Sequence, residues 1–444
     1  MLMVWLLIFF LAWMAYLFFE ALSHQRSLRK IPHRIAITGI RGKSSITRLI
    51  AAGLREAGYR VVAKTTGSRP VIIYPDGREE EIKRKGRPSV LEQKKLMQLA
   101  ASQSADFLVV EMMSIQPEFL RAESHKLLQP ETLVISNIRV DHTEFLGQSR
   151  EEVALHLSAS LKPGLKVFIP REEMLPALVG ELQNNQVEII AVRPHQLTEE
   201  LKSQVPYAEF EPNLTLALEV LAHYRVPFDR IKEGFRKVCP DFGHLRIWQV
   251  SAGSGAPSFY FVNLLAANDP ASTAEALKLV EERFDFSRRQ TVGLLSLRSD
   301  RPDRTKQWLD YFQRQDSFEE SILNRLGFLF ITGPGSAVVS RKLSSAPGCS
   351  KSRVKRLKAR SPEDCLAEIF NYLKNCQPLY TEENKKNASP TSSYLGTTPL
   401  NQVEKEEKTS ISEKEIVIIG IGNIVGFGQK LIDYLEREGH AFKL

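Results

Sequence analysis

The sequence predicts an α/β protein, with an N-terminal transmembrane helix followed by two domains built on mostly parallel sheets. Three observations predict it. Residues 1–19 (MLMVWLLIFFLAWMAYLFF) hold no charge. From Arg34 onward, short apolar runs alternate with amphipathic stretches, the pattern of repeated βαβ units. That alternation fills one block up to about residue 238 and starts again near Cys239–Arg246.

The first element follows from length and charge. A helix over residues 1–19 spans roughly 29 Å at 1.5 Å per residue, about one hydrocarbon core. Positive charge comes after the run, at Arg26, Arg29, Lys30 and Arg34. A cleaved signal peptide carries it before the apolar core, and a run apolar on every face is hard to bury in a soluble fold. Residues 1–22 therefore read as a single-pass anchor in the cell membrane. The positive-inside rule places the rest of the chain in the cytoplasm.

Composition narrows the partners. The chain has 444 residues, 43% apolar and 25% charged, with a net charge of +8. These fractions are ordinary for globular domains, and the basic balance suits anionic lipid or an acidic small molecule. No zinc-finger, RNA-binding aromatic or basic-zipper signature is present, so no nucleic-acid partner is expected. Cys239, Cys349, Cys365 and Cys376 form no CxxC pair and read as reduced thiols.

In the first block Ile35–Thr38 reads as a strand. Ser45–Glu56 reads as a helix with Ile46, Leu49, Ile50 and Leu54 on one face. Val71–Tyr74 and Glu80–Lys83, joined by Pro75-Asp76-Gly77, read as an inserted hairpin. Phe107–Val110, Thr132–Ser136, Val167–Ile169 and Val187–Ala191 read as further strands. The second block has strands at Phe259–Val262, Thr291–Ser296, Phe328–Thr332 and Ile416–Gly420, and helices near Ala271–Glu282, Arg304–Arg314 and Glu363–Leu373. Residues 381–413, rich in Ser, Thr, Asn, Lys and Glu, read as a disordered insertion.

The strongest motif is Gly39-Ile40-Arg41-Gly42-Lys43-Ser44-Ser45, between a strand and a helix. Glycines let the backbone approach phosphate, and helix-terminal N–H groups favour the anion. Lys43 supplies charge for the outer phosphates, and Ser44 offers a hydroxyl to Mg²⁺. The common phosphate loop has four residues between its glycines; this one has two. A plain glycine turn before a helix is the alternative. Two acidic or imidazole-bearing segments follow at strand ends, Glu111-Met112-Met113-Ser114-Ile115-Gln116 and Asn137-Ile138-Arg139-Val140-Asp141-His142. Side chains there project from the carboxyl edge of a doubly wound sheet, where ligands bind.

The short loop G-x-x-G-K-[ST]-[ST], with these two segments, resembles the Mur ligase superfamily of ATP-dependent amide ligases. The resemblance implies a P-loop central domain over 33–238 and a Rossmann-like C-terminal domain over 239–444. It implies that residues 39–45 bind ATP, that Ser44 and Glu111 hold Mg²⁺ (or Mn²⁺ in its place), and that His142 holds a second ion. Lys43, Glu111 and His142 would be the catalytic groups. The bridging carbamylated lysine common in the family aligns with Leu157, a departure. Asn213, in Glu211-Pro212-Asn213, corresponds to the family's adenine-contacting Asn; as a residue it equally suits a helix cap. Arg246 corresponds to a hinge arginine that reaches the nucleotide phosphates, and a plain hinge salt bridge is its alternative.

Within the superfamily the chain resembles poly-γ-glutamate synthases of capsule systems. The features are the membrane segment just before the phosphate loop, Ala267-Asn268-Asp269-Pro270, Arg298-Ser299-Asp300-Arg301, and the closing Gly420-Ile421-Gly422-Asn423. The two arginines suit an acidic substrate. The resemblance implies polymerisation of glutamate through γ-linked amides by way of an acyl phosphate. Partners would be glutamate or the poly-γ-glutamate chain, and membrane subunits of a synthesis and export complex. A tethered folylpolyglutamate-synthase-like ligase and a non-catalytic nucleotide-binding scaffold are the alternatives. The closing glycines, with no further strand and acidic residue behind them, do not make a dinucleotide fingerprint.

Overall fold

The apolar N-terminus does not stop at residue 22. No proline or glycine interrupts the next eight residues, and one helix, α1, covers Leu2–Lys30 before Pro32 ends it. Residues 1–19 are exposed throughout, whereas His24, Ser27 and Leu28 are buried against the body. Among the described residues α1 alone is long and apolar enough to cross a membrane.

The structure, a computed structural model, describes residues 1–67, 69–84, 86, 88–141, 143–251, 258–287, 289–313, 326–345, 353–376 and 415–442. It forms two compact units, Met1–His244 and Leu245–Leu444. The division falls six residues beyond 238/239 because residues 239–241 are tied to the first unit. The Arg48 guanidinium donates to the Cys239 carbonyl at 3.2 Å and lies 3.9 Å from the Asp241 carboxylate.

After α1, the first unit runs β1 (His33–Thr38), α2 (Lys43–Glu56), β2 (Val61–Thr65), β3 (Val71–Ile73), β4 (Glu79–Glu81), α3 (Glu92–Ser102), β5 (Phe107–Glu111), β6 (Thr132–Ile135), β7 (Lys166–Pro170) and β8 (Glu188–Val192). The sheet order is β4-β3-β2-β5-β1-β6-β7-β8, with β2 to β8 parallel across the centre and β3 and β4 antiparallel at one edge. Every strand expected from the sequence forms within a residue or two. β2 is additional. Its apolar signal is broken by Lys64, a buried lysine that donates to Glu92 at 3.2 Å and Gln93 at 3.3 Å. One face of the sheet packs on α2 and the helices Glu211–His223 and Phe228–Arg236. The other packs on the docked end of α1, on α3, and on the helix Pro117–Arg121 with its π-helical continuation Ala122–Leu128.

The second unit holds β9 (Arg246–Val250), β10 (Phe259–Asn263), β11 (Gln290–Ser296), β12 (Phe328–Thr332), β13 (Val354–Arg356), β14 (Ile416–Gly422) and β15 (His440–Phe442). Their order is β13-β12-β11-β14-β10-β9-β15, parallel from β13 to β10 and antiparallel at β9 and β15. Helices Pro270–Glu281, Pro302–Gln313 and Pro362–Cys376 fall where the sequence puts them. The expected insertion at 381–413 lies outside the described residues.

Candidate active site

β1 lies between β5 and β6, and all three run parallel. Ile37 is level with Glu111 and Thr38 with Ile135, so the loops starting at Gly39, Met112 and Ser136 leave the sheet side by side. The sheet thereby gathers three motifs that lie up to a hundred residues apart in sequence.

The phosphate loop depends on two glycines. Gly39 has φ +113°, and a Cβ there would meet the Ser136 hydroxyl at 2.3 Å. Gly42, at φ +79°, is the residue before α2, and a Cβ there would fall 2.3 Å from the Asn213 carboxamide oxygen. Left-handed backbone and close approach both require glycine. Lys43 opens α2 and curls back, its Nζ donating to the Gly39 carbonyl at 2.8 Å. Burial lowers the pKa of its ammonium, and the Glu111 carboxylate partly offsets this. The loop is braced from β6: Asn137 Oδ1 accepts from the Arg41 N–H at 3.0 Å, its Nδ2 donates to the Arg41 carbonyl at 3.2 Å, and the Arg41 guanidinium pairs with buried Asp141 at 3.1 Å.

The Ser44 hydroxyl donates to Glu111 Oε2 at 2.7 Å, and that oxygen also accepts from the Thr66 N–H at 2.7 Å. Glu111 is 4% exposed. A Cβ on Gly67 would lie 2.9 Å from the Ser44 hydroxyl and 3.1 Å from Asp241 Oδ2, so Gly67 leaves room between them. Asp241 Oδ1 is buried without a hydrogen-bond partner, as are the hydroxyls of Thr65, Ser114 and Ser136. Buried polar atoms are normally satisfied; four exceptions around one strand edge suit a polar ligand. Burial, with Glu111 adding to it, pushes the Asp241 carboxyl up to about 6 against the pull of Arg48.

The donors fit the cation and nucleotide implied by the motif. A hydroxyl and a carboxylate in mutual contact are hard oxygen ligands of the kind Mg²⁺ takes, its shell completed by water and phosphate. Among the described residues no group of three or more His, Cys, Asp or Glu forms a metal cluster, and a pair of this kind does not need one. His142 lies outside the described residues, so the second-ion site rests on its sequence position alone.

Asn213 does not cap its helix. Phe210 occupies the cap position, and Asn213 instead donates to buried Glu209 at 2.7 Å while its oxygen packs on Gly42. Burial raises the Glu209 carboxyl pKa, opposed by its hydrogen bonds from Asn213 and the Phe210 N–H. Arg246 begins β9, 3.8 Å from Glu436 with its guanidinium over the Trp248 ring, both in its own unit. Arg298 donates to Asp300 at 2.8 Å, and Arg301 to Asp303 through two bonds of 3.0 and 2.8 Å.

Asn137, Thr66, Gly67 and Asp241 belong to the site without having been singled out from the sequence. Asn137 had a signal, as the first residue of its segment. The others act through a backbone N–H, a missing side chain and a contact across some two hundred positions, none of which has a sequence signature.

A family model of the Mur ligase middle domain matches residues 37–217. The chain superposes on a bifunctional folylpolyglutamate synthase/dihydrofolate synthase from Yersinia pestis, crystallised with AMPPNP and Mn ion, with a TM-score of 0.58. The two are 12% identical, over 94% of this chain and 91% of that one. The fold is therefore of the Mur-ligase class. A model of the poly-gamma-glutamate synthase CapB C-terminal domain matches residues 250–438. The chain is 33% identical over 291 residues to the capsule biosynthesis protein CapB of Bacillus anthracis and to the PGA synthase CapB of Bacillus subtilis. It covers 62% of the first, less than two thirds of that protein's length, and 73% of the second. The chain belongs to the CapB poly-gamma-glutamate synthase family.

Proposed function

We propose that this protein is a membrane-anchored, ATP-dependent ligase that joins glutamate through γ-linked amides. The observation that carries this reading is the 2.7 Å contact of Ser44 with Glu111 beside the Gly39–Lys43 cradle. ATP is the nucleotide, held by residues 39–45 and Asn213, with Arg246 assigned by resemblance.

Amide formation from a free carboxylate in water is unfavourable, so the acid must first be activated. The γ-carboxylate of the growing chain attacks the terminal phosphorus of ATP, ADP leaves, and an acyl phosphate forms. The amine of the incoming glutamate then displaces phosphate and loses a proton. Lys43 neutralises charge on the transferring phosphoryl group, and the loop N–H groups hold the phosphates in line. Ser44 and Glu111 would hold Mg²⁺, which supplies charge neutralisation at the phosphate oxygens. His142 is assigned a second ion from its sequence position. Asn137, with the Arg41–Asp141 pair, ties the loop to the segment that follows β6.

The span in α1 anchors the protein in the cell membrane with its body in the cytoplasm, beside membrane subunits that would receive the polymer. The test is incubation of the detergent-solubilised protein with Mg²⁺, ATP and a panel of amino acids. ADP release matched mole for mole by γ-linked glutamyl amide is expected. ADP release with a phosphorylated product, or amide formation only with a folate acceptor, would refute the reading.

A further inference from the structure

The apolar span leaves the first unit at the same edge of the sheet as the phosphate loop. The end of α1 is fixed at the amino edge: the Arg34 guanidinium donates to the Leu28 and Ile31 carbonyls at 3.3 and 2.6 Å, and β1 starts at His33. Glu20 is fixed at the carboxyl edge. It accepts from Lys94 Nζ at 2.7 Å, in the first turn of α3. That turn also carries Glu92 and Gln93, which receive Lys64 from the end of β2, and Gln93 contacts Glu123, which holds the Met113 and Ser114 N–H groups just beyond β5. Residues 20–30 thus run antiparallel to β1 and cover about 16 Å at 1.5 Å per residue, close to the height of a six-residue strand. Residues 1–19 project past the carboxyl edge.

Two exposed apolar side chains flank the exit. Leu91 (57% exposed), just before α3, and Phe119 (51%), in the helix Pro117–Arg121, are the most exposed large apolar residues of the first unit outside the span, among the described residues. Leu91 precedes Lys94 by three residues. Phe119 precedes Lys126, whose carbonyl meets His24 Nε2 at 3.3 Å, by seven. Counted back along elements running the same way, both fall near Leu17 and Phe18, in the last turn of the apolar run. Lys95 and Arg121 are exposed close to them, and the acid Glu118 is exposed beside Phe119. An apolar pair with basic neighbours at the foot of a span suits the boundary between acyl chains and anionic headgroups.

We propose that the carboxyl edge of the first sheet faces the bilayer, with Leu91 and Phe119 seated in an anionic membrane surface beside α1. The proposal rests on reading α1 as an anchor. It places the nucleotide loop on the membrane side of its sheet, so substrates reach the site along the lipid surface and product emerges against it.

The experiment uses the full chain in vesicles of three parts phosphatidylcholine to one part phosphatidylglycerol. Cys239, Cys349 and Cys376 are replaced by serine, and buried Cys365 is kept. Nitroxides are attached singly through Leu91→Cys, Phe119→Cys, Phe10→Cys in the span, and Tyr59→Cys at the amino edge. Relaxation by oxygen and by a water-soluble nickel chelate is then compared. Headgroup depth at 91 and 119, hydrocarbon depth at 10 and water at 59 are expected. Labels at 91 and 119 as aqueous as that at 59, with 10 in hydrocarbon, overturn the orientation and leave the anchor. An aqueous label at 10 overturns both. Hydrogen exchange on the unmodified chain gives a label-free check: slower exchange at 89–92 and 117–120 in vesicles than in detergent, with 57–60 unchanged, is expected, and equal rates at all three refute the proposal.

Discussion

After β1 the chain runs Gly39-Ile40-Arg41-Gly42-Lys43-Ser44; at the end of β14 it runs Gly420-Ile421-Gly422-Asn423-Ile424-Val425-Gly426. Both turns follow a central strand of a parallel sheet and open a helix. Their surroundings differ. At the first, a lysine and a serine begin the helix, a carboxylate stands 2.7 Å from the serine, and buried hydroxyls have no protein partner. At the second, the helix begins with Phe427, a Cβ on Gly420 would lie 2.5 Å from the Phe261 ring, and the Asn423 N–H donates to the Ser296 carbonyl at 3.0 Å. Glycine spacing reports only that a backbone is approached closely. The neighbours decide whether the turn also offers charge and hydroxyls to a ligand.

The largest expected effect separates the two turns by chemistry. Lys43→Ala should lower ATP-dependent amide formation by at least roughly 10²–10³-fold, measured as coupled ADP and amide, with the circular dichroism spectrum unchanged. Product formation at the wild-type rate would make the first turn as purely architectural as the second, and favour a scaffold.

Next comes the Asp241 carboxyl, the buried acid beside the first turn. Its rise from the ordinary 3.8 to about 6 corresponds to at most roughly 3 kcal/mol. Because the folded carboxyl holds its proton more tightly than the unfolded one, its contribution is fully present below about pH 4 and is lost as the pH rises through about 6. Asp241→Asn should therefore raise the urea midpoint of the metal-free protein at pH 8, with the gain vanishing near pH 4. A gain independent of pH would contradict the electrostatic origin.

A packing change sharpens the other side. Gly420→Ala should destabilise the second unit by about 1–3 kcal/mol through overpacking on Phe261, seen in thermal unfolding. Nucleotide binding by the first unit should stay as it is, and a loss of binding without loss of stability would give the second turn a ligand role. The smallest effect concerns thiols. Burial pushes Cys365 up to about 12, whereas Cys239 is exposed. A thiol reagent at pH 8 should modify Cys239 in the native protein and reach Cys365 only on unfolding.

Much of this was legible in the sequence because it is local. The nineteen uncharged residues of the span, the two-residue spacing of Gly39 and Gly42, and the apolar runs behind Glu111 and Asp141 are short-range patterns with short-range causes. They determine one long uncharged helix, an α/β body of two sheets, and a glycine loop with acidic neighbours at strand ends. Only the tertiary structure decided what meets across the sheet: that Ser44 touches Glu111, that Asn213 packs on Gly42 and does not cap its helix, that Lys64 is buried inside β2, and that Asp241 stands over Gly67. It also decided where the span leaves the body. A strand's periodicity says which side chains share a face, whereas the partner across a parallel sheet is set by crossovers of tens of residues, and no residue records that locally.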